Sequence, residues 1–173
     1  MIDTALAGKW TLDPSRSTVS LTTKSMGGLA RVKGAFRQVA GEGIISPAGQ
    51  VGGTMTVAAA SIDTKNTRRD KHLRSADFLD SDNHPDITFT VAAIRLSSQT
   101  ATVIGNLGIR GREKPLNFDA AATVHGDGEV WLDADVRVNR ADFGLTWNML
   151  GMASMDNALT VHAVFTRSRA TAQ

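Results

Sequence analysis

Between Trp131 and Val138 apolar and charged side chains change places at every step. Leu132, Ala134, Val136 and Val138 fall on one side; Asp133, Asp135 and Arg137 fall on the other. A two-residue period belongs to a strand with one face in a core and one in water. It excludes a helix, whose apolar stripe returns every three to four residues. The same period recurs in Val19-Leu21-Thr23, Val32-Gly34-Phe36, Val51-Gly53-Met55-Val57 and Ile87-Phe89-Val91. It returns in Val103-Gly105-Leu107-Ile109, Phe118-Ala120-Ala122-Val124 and Leu159-Val161-Ala163-Phe165. Strands wet on one side belong in an antiparallel sheet, and the separators, such as His125-Gly126-Asp127-Gly128 and Ser46-Pro47-Ala48-Gly49, carry hairpin chemistry. The expected class is all-β. About eight strands with short links close into an up-and-down barrel, which removes exposed edges. A two-sheet sandwich has the same alternation, and periodicity does not choose between them.

Two stretches break the pattern. Asn66 to Asp82 spaces Leu73 and Phe78 widely among charges and reads as one or two short helical turns. Asn139 to Leu145 is the second irregular stretch. A chain of 173 residues suits one domain over 1–173, with its core at about 10–167.

Composition removes several classes of function. Without Cys there is no disulfide, thiolate nucleophile or Cys-type zinc site. Nineteen Lys and Arg against 17 Asp and Glu leave a net charge of only +2. The densest basic group, Lys65 to Arg74, is interleaved with Asp63, Asp70 and Asp77. Nucleic-acid binding needs an uncompensated basic stripe and is not expected. No run approaches the ~20 apolar residues of a membrane span. The opening MIDTALAGKW lacks a basic, then apolar, leader, so a cytoplasmic location is expected. The four His sit at no metal-pair spacing and read as solvated surface. No nucleophile elbow, phosphate loop or dinucleotide fingerprint is present, so no metal, cofactor or catalytic residue is assigned.

Two regions are candidate sites. The Asp63 to Asp77 cluster, with Arg69, Asp70 and Arg74, reads either as a polar site for a head group or as helix caps and ion pairs. Trp147, Met149, Leu150, Met152 and Met155 crowd one connection, and Met adapts to flexible apolar ligands. Small inward residues (Gly34, Gly53, Ala120, Ala122, Ala134) point to a barrel that keeps a cavity.

These segments add up to a resemblance. Trp10-Thr11-Leu12-Asp13-Pro14-Ser15-Arg16-Ser17-Thr18-Val19 resembles the opening of the YceI-like family, and Val32-Lys33-Gly34-Ala35-Phe36 resembles its V-x-G-x-F strand. Ala60 to Asn66, Arg69 to Asp80 and Pro85 to Phe89 are similar to its longest signature. Gly105 to Gly111, Lys114-Pro115-Leu116 and Asn139 to Leu145 follow in order. The resemblance implies a single antiparallel, eight-stranded, lipocalin-like β-barrel that holds a polyisoprenoid or other amphipathic lipid without turning it over. Isoprenoid quinones are among the implied ligands, and a homodimer is possible, since dimers occur in the family. The expected lining is Val19, Leu21, Phe36, Phe89, Val91, Leu107, Phe118, Leu132, Val136, Trp147, Met149, Met152, Leu159 and Val161, with Arg69, Asp70 or Arg74 meeting the head group. Two rival readings stand beside it. One is a small enzyme acting on a lipophilic substrate, which needs a buried polar pair; the other is a filled barrel that works through its outer surface.

Overall fold

A computed structural model describes residues 2–147 and 153–169 of the chain. The described residues form eleven strands. They are β1 (Gly8–Leu12), β2 (Thr18–Ser25), β3 (Ala30–Phe36), β4 (Val39–Ile45), β5 (Val51–Ala58) and β6 (Ile62–Asp63). After helix α1 (Thr67–Arg74) come β7 (Asp86–Ser97), β8 (Thr100–Ile109), β9 (Arg112–His125), β10 (Glu129–Asn139) and β11 (Ala153–Arg167). Every pairing is antiparallel. Eight strands, in the order β1-β4-β5-β7-β8-β9-β10-β11, form a closed ring because β11 returns to β1. The barrel, not the sandwich, is the architecture.

Closure depends on β11 serving two partners on the edge away from β10. Its first half pairs with β2, where Val161 faces Val19 and Leu159 faces Leu21. Its last residues pair with β1, where Arg167 faces Trp10 and Phe165 faces Leu12. The break between β1 and β2 is written at Asp13-Pro14. The Asp13 carboxylate accepts the Ser15 backbone N–H at 3.0 Å and the Ser15 hydroxyl at 2.6 Å, and Pro14 offers no ladder donor. Arg16 then bridges Asp13 at 2.8 Å and Glu129, at the start of β10, at 2.9 Å. Strands β3 and β4 repeat the break: β3 pairs with β2, and β4 with β1. Strands β2, β3 and β6 therefore extend one end of the wall beyond the ring.

Alternation reads β2, β3, β5 and β7 to β11 and misses β1 and β4. The ring still has eight strands, but it counts β1 and β4 in place of β2 and β3. In β4, Gly41 and Gly43 stand where apolar residues would have shown the period.

The irregular stretches fold as local chemistry dictates. The Asn66 side chain caps α1 by accepting from Arg69 N–H at 3.0 Å. Residues Arg140–Phe143 make a 3-10 turn that ends on Gly144 at φ 77°, a conformation glycine adopts without a Cβ clash. At the opposite end of the barrel Ile2, Leu6 and Trp10 are buried together, and the Trp10 indole N–H donates to the Leu6 carbonyl at 2.9 Å.

Candidate binding site

The barrel interior is not filled. A large chamber of about 500 Å³ occupies the α1 end, and a smaller one of about 180 Å³ occupies the other. Inward residues pass from one to the other in steps of two, as the strand period requires. On β7 Ile87 faces the large chamber, Phe89 lies on the boundary and Val91 faces the small one. Leu116, Phe118 and Ala120 do the same on β9; Leu159, Val161 and Ala163 do so on β11. Val57, Met55 and Gly53 complete the series on β5.

Val19, Leu21, Phe36, Leu107, Val136, Trp147 and Leu159 line the large chamber alone. Val91 and Leu132 line the small one, and Phe89, Phe118 and Val161 touch both. Met149 and Met152 lie outside the described residues. Of the small residues, Gly34 borders the large chamber but leaves little empty space. A Cβ there would lie 2.8 Å from the Thr64 methyl, so this glycine seats the lead-in to α1.

The three head-group candidates separate. Arg69 lines the large chamber; its Nε donates to the Thr64 hydroxyl and its Nη2 to the Thr64 carbonyl, both at 2.8 Å. Asp70 is buried, and one carboxylate oxygen accepts both the Thr64 backbone N–H (2.9 Å) and its hydroxyl (2.5 Å). Arg74 does not line the chamber; its carbonyl receives the Ser81 N–H at 3.0 Å. Nearby, Asp63 pairs with Arg37 and Lys65 at 3.0 and 3.2 Å. The Lys65 backbone N–H, then the Lys65 and Arg37 side chains, hold the Asp63 carboxyl down at about 2. Much of the cluster is thus capping and ion pairing, with Arg69 facing inward.

Two titratable residues on the described wall escape sequence reading. His72, expected on the surface, is half-buried and lines the chamber. Its ring meets Trp147 edge-on at 4.4 Å and Phe78 at 5.2 Å, while Nε2 contacts Asp77 at 2.8 Å. Arg140 is 8% exposed and also lines the chamber. It donates to the carbonyls of Leu145 (2.7 Å), Trp147 (2.8 Å) and Ser154 (3.0 Å). Burial pushes its pKa down, yet a guanidinium keeps its proton in proteins. The inward face is therefore less apolar than alternation implies, because α1 and the 3-10 turn deliver side chains that no strand pattern reports. The described lining of the large chamber holds Arg and His but no Asp or Glu. Among the described residues no group of three His, Asp or Glu could hold a metal ion.

The order of segments that frames this cavity is also the order of one family. The YceI-like domain matches residues 10–166. The chain belongs to the YceI-like family. A YceI-like relative, the UPF0312 protein of Pectobacterium atrosepticum, is 35% identical over 113 residues. That match covers 62% of this chain and 58% of the relative, under two thirds of its length. The YceI-like barrel superposes on Burkholderia cenocepacia BcnA with a TM-score of 0.79 at 21% identity, covering 88% of this chain and 98% of that one. A polyisoprenoid binding domain from Saccharophagus degradans, implicated in plant cell wall breakdown, gives 0.76 at 13% identity over 92% and 98%. At these identities the likeness is one of fold. No helix among the described residues is long and apolar enough to cross a membrane.

Proposed function

We propose that this protein binds a long-chain isoprenoid, an isoprenoid quinone or another amphipathic lipid in the large chamber and releases it unchanged, as a carrier or store. The observation that carries this reading is the chamber itself. Its 500 Å³ falls in the range of ligand sites, and its wall is apolar except for Thr88 on β7 and the residues toward α1, the 3-10 turn and the adjoining ends of β2 and β11. A tail entering the apolar part leaves water, at about 0.8 kcal/mol for each buried CH₂. Roughly ten carbons contribute about 8 kcal/mol before the ordering of the chain takes part of it back. The head group would stand by Arg69 and His72, where donors and a cation are in place. Both Arg69 and Arg140 already hold backbone carbonyls, which suits them to orienting a ligand rather than exchanging protons with it. The polyisoprenoid binding named for the Saccharophagus degradans domain supports the same ligand class.

The test is native mass spectrometry of freshly purified protein, followed by solvent extraction and identification of the lipid. A stoichiometric adduct of prenyl or acyl mass, extracted chemically intact, is the expected result. A ligand-free mass with no uptake from a panel of prenyl quinones and fatty acids would overturn the reading and leave the outer surface as the functional one. Chemical conversion of the added lipid would instead favour an enzyme, with the His72–Asp77 pair as the place to look.

A further inference from the structure

Both chambers share four residues: Met55, Phe89, Phe118 and Val161. They form a single layer across the barrel. Within it the Phe89 and Phe118 rings stand 5.4 Å apart, tilted by 53°. They come from β7 and β9, the two neighbours of β8, and the β8 residue on the inward face between Val103 and Leu107 is Gly105. A Cβ at Gly105 would meet the Thr90 carbonyl oxygen first, and would lie 2.6 Å from Phe89 Cζ and 3.0 Å from Cε1. The missing side chain leaves room both for the close approach of the β7 backbone and for the Phe89 ring against the wall.

We propose that Phe89 and Phe118 act as a length stop, fixing the longest chain the barrel accepts. The inference rests on the lipid-binding reading above and adds to it where the tail ends. A ligand in the large chamber brings its last carbons against the two rings. Behind them the small chamber, at about 180 Å³, is only slightly larger than the ~150 Å³ cavity that admits a benzene ring. Removing one ring joins the two spaces and adds room for one or two isoprene units, with no change at the polar end.

The experiment is a chain-length profile. Wild-type protein, Phe89→Ala and Phe118→Ala are titrated with geraniol, farnesol, geranylgeraniol and longer all-trans prenols, read by competition and by native mass spectrometry. Phe36→Leu, which alters the large chamber alone, is the comparison. Wild type should show an optimum followed by a fall of about tenfold or more at the next prenol, which is a 1.4 kcal/mol step. Both alanine variants should move that optimum one or two units longer, while Phe36→Leu changes affinity but not its position. Phe89→Leu and Phe118→Leu, which leave less empty space, should move it the same way and serve if an alanine variant does not fold. An optimum at the same prenol in wild type and every divider variant would overturn the stop while leaving lipid binding intact. Absence of prenol binding by folded wild-type protein would overturn the lipid reading and the stop with it.

Discussion

The guanidinium carbon of Arg140 lies 5.5 Å from the centre of the Phe78 ring. One residue follows β10 and the other follows α1, so a cation and an aromatic from distant parts of the chain meet on one chamber wall. Phe78 also packs on Trp147 at 5.3 Å, and Arg140 holds the Trp147 carbonyl. The wall here is an aromatic group built around the buried Arg140 guanidinium.

That arrangement makes Arg140 intolerant of its closest substitute. A Lys ammonium lacks the planar fork that reaches the carbonyls of Leu145, Trp147 and Ser154 together. Arg140→Lys should lower stability by about 1.5–3 kcal/mol, the value of hydrogen bonds to a charged group. Urea denaturation followed by far-ultraviolet circular dichroism measures it. A variant as stable as wild type would show that the three carbonyls are satisfied without the guanidinium.

Asp70 should behave as a structural carboxylate. Asp70→Ala strands the buried Thr64 N–H and hydroxyl and should cost about 3 kcal/mol, while Asp70→Asn, which keeps an acceptor, should cost about half as much. The same denaturation series separates them. Equal losses would mean that charge, not hydrogen-bond acceptance, is what the site requires.

Acid should loosen the break between β1 and β2. The Ser15 hydroxyl first, then Arg16, holds the Asp13 carboxyl at about 2, below its ordinary 3.8. A carboxylate lowered in the folded state contributes stability that is fully present above about pH 4 and lost as pH falls toward 2. The stability difference between wild type and Asp13→Asn should therefore stay constant from neutral pH down to about 5 and shrink below 4. Chemical denaturation across that range tests it, and a gap that widens on acidification would contradict the assignment.

Ligand retention should follow the chamber and not the surface. Trp147→Ala removes a ring from the lining and should weaken lipid retention roughly tenfold or more, while Lys114→Ala, on the exposed part of β9, should leave it unchanged. Dissociation constants for one prenol across the pair supply the comparison. Equal constants would remove Trp147 from the site.

The strand class and the apolar lining are legible because each rests on a local rule. In β10, Leu132 and Val136 are four apart and must share a face. Which chamber each faces depends on barrel height, and no local rule carries that: Leu132 borders the small chamber and Val136 the large one. β1 and β4 escape because five residues, and a glycine at alternate positions, give too little pattern. His72 and Arg140 escape for a different reason. Both sit outside strands, and their burial depends on the contacts of His72 with Trp147 and of Arg140 with Phe78, which join segments far apart in the chain. Asp70 reads in sequence as a head-group contact or a member of a cap and ion-pair cluster; its actual partner, Thr64, is an ordinary polar residue, and the hydrogen bonds appear only once α1 folds back on its lead-in.

The pairing of Trp10 with Arg167 sets an order of events during synthesis. β1 can pair with β4 and cover part of Trp10 with Ile2 and Leu6, but its other edge waits until β11 has been made and can zip along it. No closed chamber exists before that seam shuts. Pairing of residues so far apart in sequence is also slow in intrinsic terms. A hydrophobic guest present at that moment would find the walls still apart, and loading could accompany the last step of folding instead of following it.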